Sequence, residues 1–224
     1  MSCPAAYAAR PANGHNRYVT PQPSRTETPD GTALVVETAV DPSLAPTIAD
    51  VAAATFPLAC PPHSTPENIA AHIEQVLSAE RFSEYLTDPV KQVLIARLGP
   101  SGPIIGYALL VHDIPTDPDV FAAVDAAAAG SEAIANRTVT EISKMYVLPA
   151  HHAANNELRP SHALMSAAVD AARSRGATLI WLGVHSGNER AKKYYTKMGF
   201  RQIGTKTFDM NGAIEHDFVL ARGC

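Results

Sequence analysis

The segment Ser186–Met198, SGNERAKKYYTKM, holds the residues best spaced for chemistry. Ser186 and Glu189 form an S-x-x-E pattern that predicts a helix start, each side chain reaching the other's backbone N–H. Along that helix Asn188, Ala191 and Tyr195 stand at i, i+3 and i+7 and share one face. An amide at the mouth and a phenol two turns deeper suit a ligand lying along the helix. A surface asparagine and a core tyrosine would have the same spacing, and Tyr194 is expected in the core. Elsewhere His151 and His152 adjoin, and His162 follows at a helix start. Adjacent histidines rarely ligate one ion, and no cysteine or carboxylate pair joins them at ligand spacing, so they read as loop residues rather than a metal site. Cys60, beside Pro61 and Pro62, is placed to line a substrate mouth, but no paired histidine marks it as a nucleophile.

These side chains need a scaffold, and composition bounds it. The chain has 224 residues, 46% apolar and 18% charged, which excludes a largely disordered chain or a coiled coil. A domain of this length buries roughly 70% of its unfolded surface without a covalent staple. Cys3, Cys60 and Cys224 are odd in number and far apart, which argues against a disulfide framework or structural zinc and for a reducing compartment. A net charge of −4 argues against coating nucleic acid or an anionic membrane. No run reaches the ~18 apolar residues of a membrane span, and no charged-then-apolar leader opens the sequence. The expectation is a cytoplasmic protein with neither nucleic acid nor membrane as partner; a homodimer stays open.

Residues 1–31 are crowded with Pro, Ser, Thr, Asn and Gly without period two or 3.6, which predicts a disordered tail. Residues 32–224 read as one α/β domain. A strand over Ala33–Val40 leads to a helix capped by Asp41 with Pro42 in its first turn. After a proline-rich loop over 57–63, a second helix opens on a Ser/Thr cap, Pro66 and Glu67. Residues 91–113 form a hairpin around a Gly/Pro turn, and 114–138 read as an insertion with a short helix. A strand over 140–149, a helix over 160–175 stopped by Gly176, and a strand over 177–184 precede the Ser186 helix. A hairpin around Asn211-Gly212 closes the chain. The order is β-α-α-β-β-β-α-β-α-β-β.

The stretches EISKMYVLP, IWLGVHSGNERAKKYYTKMGF and GTKTFDMNGAIEHDFVLAR resemble the GNAT superfamily of acetyl-CoA-dependent N-acetyltransferases. ATFPLACPP and the acidic end of the last hairpin are similar to its bacterial spermidine/spermine acetyltransferase-like branch. The resemblance runs from Ala33 to Arg222, leaving out the tail and the insertion. It implies a mixed, mostly antiparallel seven-stranded sheet flanked by about four helices, with acetyl-CoA as acyl donor, no metal, and direct attack by an amine. A primary ammonium is deprotonated in only about one molecule in 2,500 at pH 7, so the nitrogen needs a base. By resemblance Glu141, at the start of the strand over 140–149, is that base, acting through water. Tyr195 matches the family tyrosine that protonates the departing thiolate, and Asn188 the cofactor-contacting asparagine. Met145, Tyr146 and Val147 would offer backbone groups to the pantetheine arm and an N–H to the oxyanion, next to a bulge that splays two strands.

One stretch departs from the pattern. The family loop after this strand reads R/Q-x-x-G-x-G/A, its glycines letting backbone N–H groups reach the pyrophosphate at a helix start. Pro149–Met165 contains no glycine; Arg159 and Ser161 fall on the two glycine positions, and Pro160 between them has no N–H. Asn155 or Asn156 is expected to supply the left-handed turn and Arg159 the charge. Two function classes follow. One is an N-acetyltransferase acting on a primary amine of a small, polyamine-like molecule, or on a protein N-terminus or lysine, with Glu67, Asp113 and Glu141 as candidate mouth carboxylates. The other is a catalytically weak or inactive GNAT-shaped regulatory module with a degenerate pyrophosphate loop.

Overall fold

Eight strands form, most of them on runs rich in Val, Ile and Leu: β1 (Ser24–Glu27), β2 (Ala33–Ala39), β3 (Lys91–Leu98), β4 (Ile104–Val111), β5 (Val139–Val147), β6 (Leu179–His185), β7 (Arg201–Met210) and β8 (Ala213–Gly223). A computed structural model describes residues 24–27, 33–128, 136, 138–152, 158–210 and 213–224. The strands join in one sheet of order β1-β2-β3-β4-β5-β6-β8-β7, antiparallel except where β5 lies beside β6. The α/β class and the mostly antiparallel sheet agree with expectation, but the strand count exceeds seven. β1, inside the expected tail, pairs with β2 from Ser24 opposite Val36 to Glu27 opposite Ala33. An edge strand is held by its backbone and needs no apolar alternation, so its polar sequence gave no signal. The rest of the tail lies outside the described residues.

Six α-helices, rather than about four, are present among the described residues: α1 (Ala45–Thr55), α2 (Pro66–Val76), α3 (Ala79–Thr87), α4 (Pro118–Ala127), α5 (Pro160–Ser174) and α6 (Glu189–Lys197). Asp41 accepts the Ser43 N–H as expected, but the turn it caps is a 3₁₀ turn that runs on into α1. Thr65 caps α2 through the Asn68 N–H. The helix not read from the sequence is α3, started by Ser78, which accepts the Arg81 N–H directly behind the end of α2. Helix α4 is the short helix of the insertion, capped by Asp117. No helix among the described residues is long and apolar enough to cross a membrane.

The sheet is covered on both faces. Helix α5 lays Leu164, Met165 and Ala168 against Leu94, Ala108 and Ile142. On the other face Ile48 of α1 and Phe82 of α3 pack against Ile95, Tyr107 and Leu109, while α4 sets Val120 and Val124 beside Trp181 and Val219. Each fully buried large aliphatic contributes roughly 1.5–3 kcal/mol.

One irregularity makes room for a site. Leu109 pairs with Lys144 but Leu110 with Ile142, so Ser143 is an extra, bulged residue in β5. β5 and β6 are paired only from Val139–Leu179 to Glu141–Trp181, whereas β6 stays with β8 as far as His185 opposite Asp217. Beyond Glu141 the two parallel strands part.

Candidate active site

The parting of β5 and β6 opens a cleft of about 730 Å³, within the usual range for a small-molecule site. Met145, Tyr146 and Val147 form one wall, Gly183 and Val184 another, and Asn188 and Tyr195 of α6 a third. Cys60, on the loop between α1 and α2, lines the mouth as expected. Its thiol donates to the Phe56 carbonyl at 3.4 Å. Burial, with Glu215 nearby, pushes its pKa up, so it stays a protonated thiol rather than a nucleophile.

Helix α6 is capped two residues beyond the predicted serine. Asn188 is the cap, its Oδ1 accepting the Ala191 N–H at 3.0 Å. Asn188 itself donates its N–H to the His185 carbonyl at 2.9 Å, a turn that carries Ser186 outside the helix. Asparagine caps as well as serine, so position decided the outcome. The Asn188 oxygen is thereby committed to the helix, and its amide nitrogen remains for a ligand. Glu189 bonds Lys192 at 2.6 Å instead of closing a capping box.

Tyr195 faces the cleft between the rings of Tyr194 and Phe200, 5.4 and 5.8 Å away. Burial pushes its pKa up to about 12, so it is a protonated phenol at neutral pH. Tyr194 donates its hydroxyl to the Ser161 carbonyl at 2.8 Å, tying α6 to the first turn of α5. Glu141 does not line the cleft. It is half-buried at the last position where β5 pairs β6, between Val111 and Trp181. Burial raises its pKa, opposed by Lys206 and Lys144. Glu67 and Asp113 do not line the cleft either.

At the start of α5 the altered loop shows how it replaces a glycine. Arg159, at the helix cap, has φ 46° and ψ 57°, and among the described non-glycine residues it is the one with positive φ. Asn155 and Asn156, expected to supply a left-handed turn, lie outside the described residues. The Arg159 carbonyl accepts the N–H groups of His162 and Ala163 at 2.9 and 3.2 Å. With Pro160 lacking an N–H, Ser161 is the remaining first-turn donor that no helical carbonyl takes. Ser161 lines the cleft and Arg159 does not.

His152, read as a loop residue, bridges two walls. Its Nε2 donates to the Val147 carbonyl at 2.9 Å, and its Nδ1 accepts from Arg190 of α6 at 2.7 Å. The pair of bonds defines a neutral ring with the proton on Nε2. The Val147 carbonyl, one of the backbone groups expected to meet pantetheine, is therefore already engaged. Among the described residues no grouping of side chains suits a metal ion.

The carboxylates that sequence reasoning missed are on β8. Glu215 is buried and accepts from His63 Nε2 at 2.8 Å and His185 Nε2 at 3.0 Å. Burial works against its charge, but those two bonds outweigh it and its pKa is lowered. Asp217 lines the cleft, and its Oδ1 has no hydrogen-bond partner among the described residues. Burial raises its pKa, with Lys206 and His185 opposing. The one signal available was period two: Glu215 and Asp217 had to share a face of the closing hairpin.

With this geometry in hand, relatives can be compared. Residues 53–200 match the acetyltransferase (GNAT) family. An uncharacterized N-acetyltransferase of Mycobacterium tuberculosis (strain ATCC 25618 / H37Rv) is 39% identical over 175 residues, 78% of this chain and 94% of its own. Its counterpart in Mycobacterium bovis is equally similar, at 39% identity over 175 residues. Among solved structures, the PaiA N-acetyltransferase of Thermoplasma acidophilum in complex with coenzyme A superposes with a TM-score of 0.60 at 16% identity, covering 84% of this chain and 99% of that one. A spermidine/spermine N-acetyltransferase of Vibrio cholerae gives 0.53 at 15% identity, covering 85% and 94%. At these identities the likeness to solved structures is one of fold.

Proposed function

This chain belongs to the acetyltransferase (GNAT) family and is an acyl-CoA-dependent acetyltransferase; from that premise we propose that it transfers acetyl from acetyl-CoA to a primary amine of a small, polyamine-like molecule by direct attack. The observation that carries the reading is the separation of β5 from β6 beyond the Glu141–Trp181 pair. Strand backbone left unpaired inside a cleft offers N–H and C=O groups to an extended guest, and the amide-bearing pantetheine arm is such a guest. A backbone N–H of Met145–Val147 serves the oxyanion of the tetrahedral intermediate. The Tyr195 hydroxyl donates to the departing sulfur, and the amide of Asn188 steadies the cofactor beside it. The pyrophosphate meets the start of α5, where the Ser161 N–H and the Arg159 guanidinium share the work of the usual amide cradle.

A cationic acceptor is supported by Asp217 in the cleft and Glu215 behind it, rather than by Glu67, Asp113 or Glu141. A lysine side chain or a protein N-terminus presents the same nucleophile, so an acceptor panel separates them. The glycine-free loop speaks for a module that no longer binds CoA. The left-handed Arg159 weighs against that rival, because the turn a glycine would make is made without one. The test is a melting curve with acetyl-CoA, followed by thiol release in the presence of spermidine and of lysine-containing peptide. Ligand at about 100 times its Kd stabilises by about 2.7 kcal/mol, which for a chain of this size raises Tm by roughly 5–10 °C. An unmoved curve at millimolar acetyl-CoA refutes the reading.

A further inference from the structure

Direct attack requires that the ammonium lose a proton inside the cleft, and this inference rests on that reading of the reaction. We propose that the Asp217 carboxylate, seated against Gly183, is the group that takes the proton from the attacking amine. Asp217 is only 9% exposed, lines the cleft, and leaves Oδ1 without a hydrogen-bond partner among the described residues. A buried carboxylate oxygen without a donor is unfavourable, and Asp217 holds one at the edge of the cleft, so this carboxylate points to a ligand that supplies a donor and a positive charge. An ammonium is that donor.

Gly183 makes the placement feasible. A Cβ there would stand 2.8 Å from Lys206 Cε and 3.1 Å from both Lys206 Nζ and Asp217 Oδ2. The absent side chain lets β7 and β8 lay these two groups across β6 beside the cleft. Four charged or titratable groups face Asp217: Lys206 from β7, His185 from β6, Glu215 along β8 and Tyr146 from β5. Burial and Glu215 favour the protonated carboxyl, while Lys206 and His185 oppose them, and the net effect raises its pKa above the ordinary aspartate value, which makes it a better proton acceptor than a solvated aspartate. Tyr146 is within electrostatic reach of both Asp217 and Tyr195, which puts the two ends of the proton path in one neighbourhood. Glu141 does not line the cleft and sits where β5 is still paired with β6.

The step balances. The ammonium passes one proton to Asp217, and the freed nitrogen pair forms the N–C bond to the thioester carbonyl. The C–S bond then breaks as the Tyr195 hydroxyl protonates the departing sulfur, the second proton on the nitrogen returns to Tyr195 to leave the neutral amide, and Asp217 releases its proton to solvent as product leaves. The experiment compares wild type, Asp217→Asn and Glu141→Gln for kcat against pH from 5 to 9 with spermidine, alongside the acetyl-CoA melting shift. The expected result is a 10²–10⁴-fold fall in kcat for Asp217→Asn, with its acid limb gone and its acetyl-CoA shift intact, while Glu141→Gln keeps the limb. A limb lost in Glu141→Gln and kept in Asp217→Asn overturns the assignment. If wild type binds acetyl-CoA but does not turn over spermidine, the Asp217 carboxyl is titrated by carbon NMR in the acetyl-CoA complex. A midpoint above the ordinary aspartate range supports the proposal, and an ordinary midpoint overturns it. Absence of any acetyl-CoA shift instead refutes the acetyl-transfer reading, and the proposal falls with it.

Discussion

Arg159→Gly and Arg159→Ala separate the two things Arg159 does, which are to hold a turn and to carry a charge. A non-glycine residue in the left-handed region, here at φ 46°, is disfavoured by roughly 1–2 kcal/mol. Glycine removes that strain but loses about 0.4–1 kcal/mol through greater freedom of the unfolded chain. The net is a gain of roughly 0.5–1 kcal/mol for Arg159→Gly, or about 1–4 °C in Tm. Arg159→Ala keeps the Cβ and hence the strain, and because the Arg159 side chain makes no capping bond, its Tm without ligand stays within about 1–2 °C of wild type. Acetyl-CoA then reads the charge. Losing a guanidinium–phosphate contact of about 1.5–3 kcal/mol weakens binding roughly ten- to a hundredfold. Ligand that stabilised wild type by about 2.7 kcal/mol then supplies only about 0.4–1.4. Pantetheine, which has no pyrophosphate, stabilises Arg159→Ala and wild type alike. Scanning calorimetry with and without each ligand is the assay. If Arg159→Gly melts no higher than Arg159→Ala, the turn holds no strain; if both respond to acetyl-CoA as wild type does, the charge has no role.

Tyr195→Phe lowers kcat by 10²–10⁴ with Tm nearly unchanged, whereas Tyr194→Phe loses its bond to Ser161 and about 1 kcal/mol of stability; equal turnover for wild type and Tyr195→Phe removes that phenol from the mechanism. Gly183→Ala pushes chiefly on the flexible end of Lys206, so steady-state kinetics show a loss of kcat much larger than the Tm change; proportionate losses would mean that Gly183 is only a packing residue. His112, bonded to Thr140 and Gln92 at 3.0 and 3.1 Å, is held by burial, with Arg175 adding to it, at a pKa of about 4 against 6.5. Its folded pKa is depressed, so its stabilisation is complete above pH 6.5 and declines as pH falls from 6.5 to 4, a change of roughly 2–3 kcal/mol after allowance for solvent screening. His112→Gln flattens that part of the Tm–pH curve, and an unchanged slope excludes His112 as its source.

Local signals carried most of the fold. The caps at Asp41 and Thr65, the stop at Gly176 and the closing hairpin depend on residues within a few positions of one another, and each stands where the pattern put it. Failures came where two local solutions compete or where none is needed. Ser186 and Asn188 are equally able caps, and only the bond from the Asn188 N–H to the His185 carbonyl chooses between them. Ser78 ends one helix pattern and begins another. The strand β1 has no pattern to read, because backbone pairing alone holds it. A left-handed arginine directly before Pro160 is likewise not something propensity announces, while Asn155 and Asn156 lie outside the described residues.

The site was harder to read because a single residue sets which side chains it contains. A regular strand from Thr140 would place Met145 and Val147 on the face of Glu141, and Tyr146 on the face of Ile142. The bulge at Ser143 reverses this parity. Met145 and Val147 instead join Ile142 in the core under α5, while Tyr146 packs against Tyr107 on the opposite face. That swap brings Tyr146 toward Asp217 and Tyr195 and leaves Glu141 behind where β5 is still paired with β6. Glu141, the base that the resemblance implies, stands one residue before Ile142, where the lining of the cleft along β5 begins. The carboxylate facing the cleft therefore comes from the neighbouring hairpin, whose Asp217 reaches it over Gly183, a juxtaposition no spacing within one segment can encode.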